Sequence, residues 1–492
     1  MSGDDGSADA PADHADDNDL GDVLEAVRKR VTPDSDERAA LEAAVVDLAE
    51  RTRAAVADLP VEADVVHVGS TARDTWLPGD RDIDLFVRFS PDVSRADLER
   101  WGLRVGEAVL PDARTAYAEH PYVTGTVDGF DVDLVPCYDV PDATAIESAV
   151  DRTPFHTAYL AERVTPADAA EIRLAKQFLT AAGVYGSDLR TRGFSGYLTE
   201  LLVLAYGDFA GLLRAAADWL PPVVLDPADH GEREFDDPLV VVDPTDPGRN
   251  VAAVVAAESV ARCQHHARAL LADPDEAAFE STDPEPLDAD AVRAHLERRG
   301  THPLAVRLDV PALVDDQLYP QLRRSLGGLR DGLAAEGFSV LRGTALAEPL
   351  PADAAATPPG GRPTAPAAAA DGERTVALLV ELAHGELPAV ERHEGPPVHV
   401  REHAAAFYDT YDATDDERTY GPFLDGGRYV VERERSVRTA RQFATEELSA
   451  VALGAAVEDA LADGYDVLEG DAVADLAGTF GTDLARYFEP TV

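Results

Sequence analysis

Apolar residues follow different periods in different parts of the chain. Between residues 24 and 59 they recur every three to four positions, which predicts helix, with a break at Pro33. Shorter runs follow, some alternating and some helical, and they predict strands over residues 65–68 and 82–89, a helix over 95–109 and a hairpin over 123–135. Helices and strands mixed in this way are typical of an α/β or α+β domain.

From residue 166 onward the period becomes helical, and a mostly helical second domain is predicted. A run of Asp, Pro and Glu over residues 273–288 then predicts a linker. Beyond it, strands and helices mix again and predict an α+β region of one or two lobes. The predicted division is a disordered leader at 1–20, domains at 21–150, 151–272 and 289–492, and an Ala/Pro-rich insertion at 352–371.

The chain is strongly acidic, with 93 Asp+Glu against 43 Lys+Arg and a formal net charge of -50. Hydrophobic residues make up 45%, enough to build cores, so wholesale disorder is excluded. Lys29 and Lys176 are the only lysines, and acid is spread along the whole length. This is typical of a protein from a salt-rich cytoplasm, where about 1 M salt shortens the Debye length to about 3 Å. The alternative is an ordinary acidic protein with a mobile acidic tail.

Sequence features also bear on the compartment. No apolar run approaches the roughly 20 residues that a membrane span requires, and the N-terminus lacks the pattern of a signal peptide. Cys137 and Cys263 are too few for a disulfide framework, which fits a reducing environment. We therefore predict a cytoplasmic protein without a membrane partner.

The chemistry is concentrated in two acidic strands. Because side chains alternate along a strand, Asp82 and Asp84 share one face, and carboxylates placed so closely favour a bound Mg²⁺. A third acid comes from the later hairpin, where geometry alone does not choose between Asp131 and Asp133. The alternative for any of these acids is a solvated face.

A glycine-serine pair raises the probability of a metal site. Gly69 and Ser70 follow a short strand and are predicted to open a helix, whose N-terminus attracts phosphate. A phosphate-binding turn about a dozen residues before metal-binding acids suits a nucleotidyl transferase with two metal ions.

These residues carry a resemblance to a known family. Gly69-Ser70, Asp82-Ile83-Asp84 and Asp133 resemble the signature of the DNA polymerase β-like nucleotidyltransferase superfamily. The longer run from Val68 to Asp84 resembles the archaeal (class I) CCA-adding enzymes, tRNA nucleotidyltransferases that build or repair the 3′-CCA end of tRNA. The similarity continues in five further motifs, which are Pro154-Phe155-His156, Arg173-Leu174-Ala175-Lys176-Gln177-Phe178, Gly183-Val184-Tyr185-Gly186, Gly193-Phe194-Ser195-Gly196-Tyr197 and Asp243-Pro244-Thr245-Asp246-Pro247-Gly248-Arg249-Asn250-Val251. It is weaker in Gly421-Pro422-Phe423-Leu424.

The resemblance implies a multidomain α+β fold with a polymerase β-like nucleotidyltransferase head, a helical central domain and α+β C-terminal lobes. It implies Mg²⁺ as cofactor, CTP and ATP as substrates, and as partner a tRNA that lacks all or part of its 3′ CCA. A homodimer is one assembly that it allows. It also implies roles for individual residues: catalytic and metal-binding Asp82, Asp84 and Asp133, and nucleotide-binding Ser70, Arg73, His156, Lys176 and Tyr185.

Further features bear on the base, the metal and the RNA partner. The resemblance implies that Arg249 lies near the incoming base. Many relatives have Glu at the first metal position, whereas Asp82 is one carbon shorter but keeps its charge. A run of arginines near the C-terminus predicts either a solvated face or a tRNA contact. The alternative functions are another RNA-tailing enzyme, such as a poly(A)-type polymerase, and a non-catalytic RNA-binding relative.

Overall fold

The computed structural model describes residues 17–117, 120–350, 370–413 and 419–492. Most of the predicted leader and nearly all of the predicted insertion therefore lie outside the described residues. The leader prediction was too long at its end, because helix α1 already begins at Asp17. Leu20 is only 5% exposed, and burying it stabilises these residues as helix.

The N-terminal unit is a five-stranded sheet with helices against it, in the strand order β1-β2-β5-β4-β3. Strands β2 and β5 run parallel at its centre, and the other neighbours are antiparallel. Its elements are α2 (Ser35–Ala57), β1 (Ala63–Val68), β2 (Asp82–Phe89), α3 (Arg95–Val109), β3 (Arg114–Tyr117), β4 (Pro121–Val127) and β5 (Phe130–Tyr138).

Local sequence explains these elements well. The two central strands alternate, so that Ile83 and Leu85 of β2 and Val132 of β5 are buried together under α2 and α3. The predicted hairpin is confirmed, and it turns at Asp128 and Gly129, both with positive φ. Asp and Gly tolerate that conformation, which the tight turn requires.

The central unit is a bundle of helices with a small three-stranded sheet, β6-β7-β8, that the sequence pattern did not predict. Helix α1 packs into this bundle rather than onto the N-terminal sheet: Leu24 and Val27 join its core, and Arg28 pairs with Glu171 at 2.8 Å. The elements are α1 (Asp17–Arg30), α4 (Thr153–Ala161), α5 (Pro166–Ala181), α6 (Gly196–Tyr206), α7 (Phe209–Ala217), β6 (Val223–Leu225), β7 (Leu239–Asp243), β8 (Asp246–Asn250) and α8 (Ala257–Ala272).

The segment predicted as a linker is partly packed. It forms a 3₁₀ turn at Glu276–Phe279, and Phe279 is fully buried against Phe178 and Phe209. The prediction rested on the polar residues around Phe279. It did not account for Phe279 itself, whose aromatic ring buries a large apolar area and so holds the segment against the helices.

The C-terminal unit contains a four-stranded sheet, β10-β11-β9-β15, with helices on both faces, and a second sheet, β12-β14-β13. Helix α11 lies on the second sheet, where Phe407 stacks on His393. The elements are α9 (Ala289–Arg299), β9 (His302–Ala312), α10 (Asp315–Glu336), β10 (Val340–Ala347), β11 (Ala370–Leu382), β12 (Val390–Pro397), α11 (Arg401–Asp412), β13 (Thr419–Asp425), β14 (Arg428–Glu434), α12 (Ala440–Glu446), α13 (Ala455–Asp463), β15 (Asp466–Glu469) and α14 (Ala477–Phe488).

Among the described helices, none is by itself long and apolar enough to cross a membrane. Helices α6 and α7 meet the criteria of length and composition only when joined, and they are bent by 91° at their junction.

Candidate active site

The three acids implied by the resemblance lie on one face of the N-terminal sheet. Strands β2 and β5 are parallel neighbours, and their register places Asp84 opposite Asp133 and Asp82 opposite Asp131. Asp131 is exposed and accepts a hydrogen bond from Thr126 at 3.0 Å, whereas Asp133 is partly covered. The pairing therefore brings Asp133 directly beside Asp84, the more enclosed of the two acids on β2.

These carboxylates are electrostatically crowded. Burial raises the pKa of Asp84 to about 8, and repulsion from Asp133 and then Asp82 adds to that effect. Burial also raises the pKa of Asp133 to about 7, against a hydrogen bond from Thr124 that lowers it. The pKa of Asp82 is raised by partial desolvation and by Asp80 and Asp131. Like charges held together in this way are relieved by a bound cation.

The donor chemistry fits a hard divalent cation, because all three side chains offer carboxylate oxygens. Within the described residues, however, no three His, Cys, Asp or Glu side chains already form a group that could hold a metal ion. The three acids share a face without converging fully, so metal binding requires their side chains to draw together.

The turn after β1 is shaped by close approach to these acids. Gly69 has φ +81°, and a Cβ there would lie 2.2 Å from Oδ2 of Asp84. The helix predicted after Ser70 is only a 3₁₀ turn, Thr71–Arg73, and Asp74 in the left-handed region ends it. The prediction of a helix N-terminus for phosphate was therefore wrong. What remains is a glycine turn that brings backbone against Asp84.

Arg73 and Lys176 meet at a buried carboxylate that the sequence reasoning missed. Glu200, from α6, accepts from Nε of Arg73 at 3.1 Å and from Nη2 at 3.2 Å. Nζ of Lys176 lies 3.6 Å from Oε1 of Glu200 and donates to the backbone carbonyl of Thr75 at 2.8 Å. The Lys176 side chain is 2% exposed and that of Glu200 0%.

Tyr185 belongs to the same group of side chains. Its hydroxyl and the Lys176 ammonium both flank Gly196, where an added Cβ would lie 3.1 Å from the hydroxyl and 3.9 Å from Nζ. Burial raises the pKa of Tyr185, and Glu200 raises it further, so the hydroxyl stays protonated. The structure thus brings Arg73, Lys176 and Tyr185 together around Glu200.

His156 and Arg249 lie in a second group around Asp243, also missed from the sequence. Nε2 of His156 is 2.8 Å and Nη1 of Arg249 is 2.7 Å from Oδ2 of Asp243, whose side chain is 0% exposed. His156 stacks on Tyr197, with ring centroids 3.8 Å apart. Burial lowers the pKa of His156 although Asp243 opposes it.

Helix α6 connects the two groups. Tyr197 in its first turn reaches Asp243 at 3.3 Å, and Glu200 one turn later holds Arg73 and Lys176. Glu200 is the single acid in the apolar run from Tyr197 to Tyr206, and this pattern could have predicted a buried charge. Asp243 stands at the end of a strand of apolar residues, which is a weaker indication of a buried charge.

The arginines near the C-terminus each pair with an acid of the chain. These pairs favour the interpretation as a solvated face over the interpretation as a tRNA contact made by unpaired arginines. The pairs are Arg433–Glu391 at 2.7 Å, Arg435–Glu391 at 3.5 Å, Arg438–Glu386 at 2.8 Å and Arg441–Glu469 at 3.0 Å.

The comparisons with known proteins follow this organisation. A family described as a nucleotidyltransferase domain matches residues 49–156, the second domain of tRNA nucleotidyltransferases matches 170–280, and the C-terminal domain of CCA-adding enzymes matches 299–352 and 363–470. The sheet and its acids therefore define a nucleotidyltransferase of the polymerase β-like class.

The relatives narrow this class to one family. The chain is 58% identical to the CCA-adding enzyme of Halorubrum lacusprofundi over 96% of this chain and 99% of that one. It is 38% identical to that of Methanosarcina barkeri, over 92% and 94%. The match to a solved RNA uridylyl transferase, Cid1, spans 55% of this chain and 100% of Cid1, with 15% identity and a TM-score of 0.42. This likeness is too distant to support the family assignment. The chain belongs to the family of archaeal CCA-adding enzymes.

Proposed function

We propose that this chain adds or repairs the 3′-terminal CCA of tRNA by template-independent, Mg²⁺-dependent nucleotidyl transfer from CTP and ATP. One observation carries the proposal: in a chain similar to CCA-adding enzymes over almost its whole length, the three signature acids lie on one sheet face with Asp84 opposite Asp133. The reaction is attack of the RNA 3′-hydroxyl on the α-phosphorus, with pyrophosphate leaving.

Asp82, Asp84 and Asp133 are the residues that would hold the metal. Bound there, Mg²⁺ supplies activation of the attacking hydroxyl and charge neutralisation on the triphosphate. The crowding of the three carboxylates supports this assignment, because burial and then repulsion from the neighbouring acids raise the pKa values of Asp84 and Asp133, and a bound cation relieves both effects. Because Gly69 has no Cβ, the backbone of the turn can lie close beside Asp84 without displacing its carboxylate.

The triphosphate is assigned to Ser70, Arg73, Lys176 and Tyr185. A guanidinium, an ammonium and a protonated phenol hydroxyl are all donors, which suits a polyanion. These groups belong to two units of the fold, since Arg73 follows β1 while Lys176 and Tyr185 come from the central unit. The nucleotide would then be held between the N-terminal and central units.

The base is assigned to the second group, with His156 and Arg249 as its polar contacts. Asp243 fixes the direction of both side chains, and the stacked Tyr197 stiffens the imidazole. A rigid set of donors and acceptors is what discrimination between bases requires.

The C-terminal unit, residues 289–492, is assigned to tRNA. An A-form helix is recognised mostly through its backbone and shape, so sequence-specific contacts are not needed there. For the arginines from Arg433 to Arg441 to take part, phosphates must replace the acids that now pair with them. The salt-rich cytoplasm inferred from the net charge of -50 would weaken those surface pairs.

The test is an incubation of purified protein with tRNA lacking CCA, with Mg²⁺ at high potassium, followed by sequencing of the 3′ end. We expect CTP alone to add two residues and both nucleotides together to add CCA and then stop. An unlimited run of A would identify a poly(A)-type polymerase instead. No incorporation, with tRNA still bound, would identify a non-catalytic relative.

A further inference from the structure

One buried carboxylate stands between the two cations assigned to the triphosphate. Glu200 accepts two hydrogen bonds from one edge of the Arg73 guanidinium, from Nε at 3.1 Å and from Nη2 at 3.2 Å, and lies 3.6 Å from the Lys176 ammonium. The Thr75 hydroxyl donates to the same carboxylate. The Arg73 side chain is 8% exposed, that of Lys176 2% and that of Glu200 0%, so little water reaches this group.

The charges in this group depend on each other. Burial alone would raise the pKa of Glu200, but Arg73 and Lys176 outweigh it and hold the pKa below its usual range. In turn, burial lowers the pKa of Lys176 and Arg73 lowers it further, while Glu200 raises it. Two buried cations side by side would repel, and the intervening carboxylate is what lets both remain charged.

The partners of Glu200 come from separate parts of the fold. Arg73 belongs to the turn that follows Gly69, Lys176 to α5, and Glu200 itself to α6. Arg73 also donates to Thr157 of α4 at 3.2 Å. A shift of Glu200 would therefore change the distance between the two cations and the seating of the Gly69 turn on the central unit.

We propose that Glu200 is a positioning residue for nucleotide binding, whose carboxylate holds Arg73 and Lys176 at a fixed separation so that both meet the triphosphate of either nucleotide. This rests on the proposed function, which assigns those two cations to the triphosphate. Glu200 itself repels phosphate, and it acts only through the cations. Arg73, Lys176 and Glu200 together keep one positive charge, which attracts the ligand.

The test separates triphosphate contacts from base contacts. Glu200→Gln keeps the side-chain size and removes the charge. Calorimetry with Mg²⁺ and α,β-methylene ATP or CTP measures the affinity for the whole triphosphate. The same measurement with AMP or CMP gives the affinity that remains without the β- and γ-phosphates. We expect Kd to rise about tenfold for both triphosphates, the scale of a lost charged hydrogen bond, and less than about twofold for the monophosphates. Turnover assays should show KM raised by the same factor and kcat within about threefold.

Two further variants keep the test decisive. Glu381→Gln is the matched control, because Glu381 is also 0% exposed and bound by two arginines, but in the C-terminal unit. It should lose stability and leave triphosphate affinity unchanged. If Glu200→Gln does not fold, Glu200→Asp replaces it, since it keeps the charge on a stem one carbon shorter. We then expect triphosphate Kd to rise about threefold, with the monophosphates unaffected.

Several results would overturn the inference. They are an unchanged triphosphate affinity in the folded Glu200 variant, an equal loss for triphosphates and monophosphates, or the same loss in Glu381→Gln. Failure of the proposed function looks different, because the unmodified protein would then add no CCA to tRNA in the first place. Normal CCA addition with normal nucleotide affinity in Glu200→Gln would reject the positioning role alone.

Discussion

Two groups of enclosed carboxylates in this protein have opposite surroundings. In the N-terminal sheet, Asp84 and Asp133 face each other, and burial with mutual repulsion raises the pKa of Asp84 to about 8. In the C-terminal sheet, Glu381 is held by Arg299 at 2.7 Å and Arg342 at 2.6 Å. Burial raises its pKa, but hydrogen bonds from Arg299, Thr301 and Arg342 outweigh that and bring the pKa to about 2.

The contrast separates a site from a structural contact. Glu381 finds all its partners inside the chain, so its charge is satisfied when the chain folds. Asp84 differs, because Arg73 lowers its pKa only as the weakest of four causes, and the hydrogen bond from Thr124 does not keep the pKa of Asp133 from rising. Folding alone gives no reason to hold two acids together, and a cationic ligand does. A raised pKa at a buried carboxylate therefore indicates a ligand site, whereas a lowered pKa alone does not separate a structural acid such as Glu381 from Glu200 or Asp243.

The largest effect should come from neutralising the crowded group. Asp84→Asn should lower kcat/KM by about a thousandfold or more, because several kcal/mol of metal-supplied stabilisation is lost at about 1.4 kcal/mol per tenfold. Its thermal midpoint should stay the same or rise, because burial and the neighbouring acids disfavour a charged carboxylate at this position. Incorporation of labelled CTP and thermal unfolding measure the two quantities.

Asp131→Asn is the control for that variant. Asp131 shares the face but is exposed and bonded to Thr126 at 3.0 Å, so activity should remain within about twofold, as is usual for surface changes. An active Asp84→Asn protein, or an Asp131→Asn protein as inactive as Asp84→Asn, would contradict the assignment.

The second-largest effect should be a loss of stability when the paired carboxylate of Glu381 is neutralised. Glu381→Gln leaves Arg299 and Arg342 without their shared counter-charge, and the free energy of unfolding should fall by about 3 kcal/mol. The folded Glu381→Gln protein should keep its nucleotide affinity. Denaturant titration at neutral pH measures the stability. A loss of activity per folded molecule would contradict the interpretation of Glu381 as a purely structural acid.

The pH dependence of this loss has a definite sign. Because the pKa of Glu381 is about 2 in the folded chain against an ordinary 4.5, its charge stabilises the fold fully above about pH 4.5. That contribution disappears as the pH falls through about 2. The stability difference between the unmodified protein and Glu381→Gln should therefore be constant near neutrality and vanish in strong acid.

Much of the N-terminal sheet could be predicted, because its information is local. The alternation around Ile83 and Leu85 defines β2, the amphipathic run of α3 has its predicted bounds, and Asp128-Gly129 marks the hairpin turn. The shared face of Asp82 and Asp84 follows from the same alternation. The choice of Asp133 over Asp131 depended on the family resemblance and stays a prediction, because the strand register pairs each of the two with an acid of β2.

The rest depended on long-range contacts. Glu200 meets Arg73 across 127 residues of chain, and Asp243 meets His156 across 87, so no local period could reveal either pair. The helix expected after Ser70 fails because Asp74 turns into the left-handed region. Phe279 anchors a segment whose neighbours are polar, and its burial is set by the aromatic rings opposite.

A smaller effect should come from moving the crowded acids without changing them. Gly69→Ala introduces a Cβ that would lie 2.2 Å from Oδ2 of Asp84, at φ +81°. The strain of a left-handed residue costs about 1–2 kcal/mol, and the displaced carboxylate should lower kcat by about tenfold to a hundredfold. Steady-state CMP incorporation measures this.

Gly300→Ala provides the matched control for strain alone. Gly300 also has positive φ, +61°, but a Cβ there meets nothing within 4 Å. It should cost similar stability and leave kcat unchanged. Equal activity losses in the two variants would show that backbone strain, rather than the position of Asp84, explains the effect of Gly69→Ala.

The smallest and most discriminating effect should come from Asp243→Asn. Asp243 is satisfied like Glu381, since burial is outweighed by His156 and Arg249 and its pKa lies well below the usual range, yet it lies in the proposed base site. Losing one charged hydrogen bond costs about 1.5 kcal/mol, so we expect KM for both nucleotides to rise several-fold, with kcat nearly kept. Unfolding should become easier by a similar amount. A change in stability alone would show that Asp243 is a structural acid like Glu381. A fall in kcat as large as that of Asp84→Asn would contradict the distinction between the crowded acids and the acids paired inside the chain.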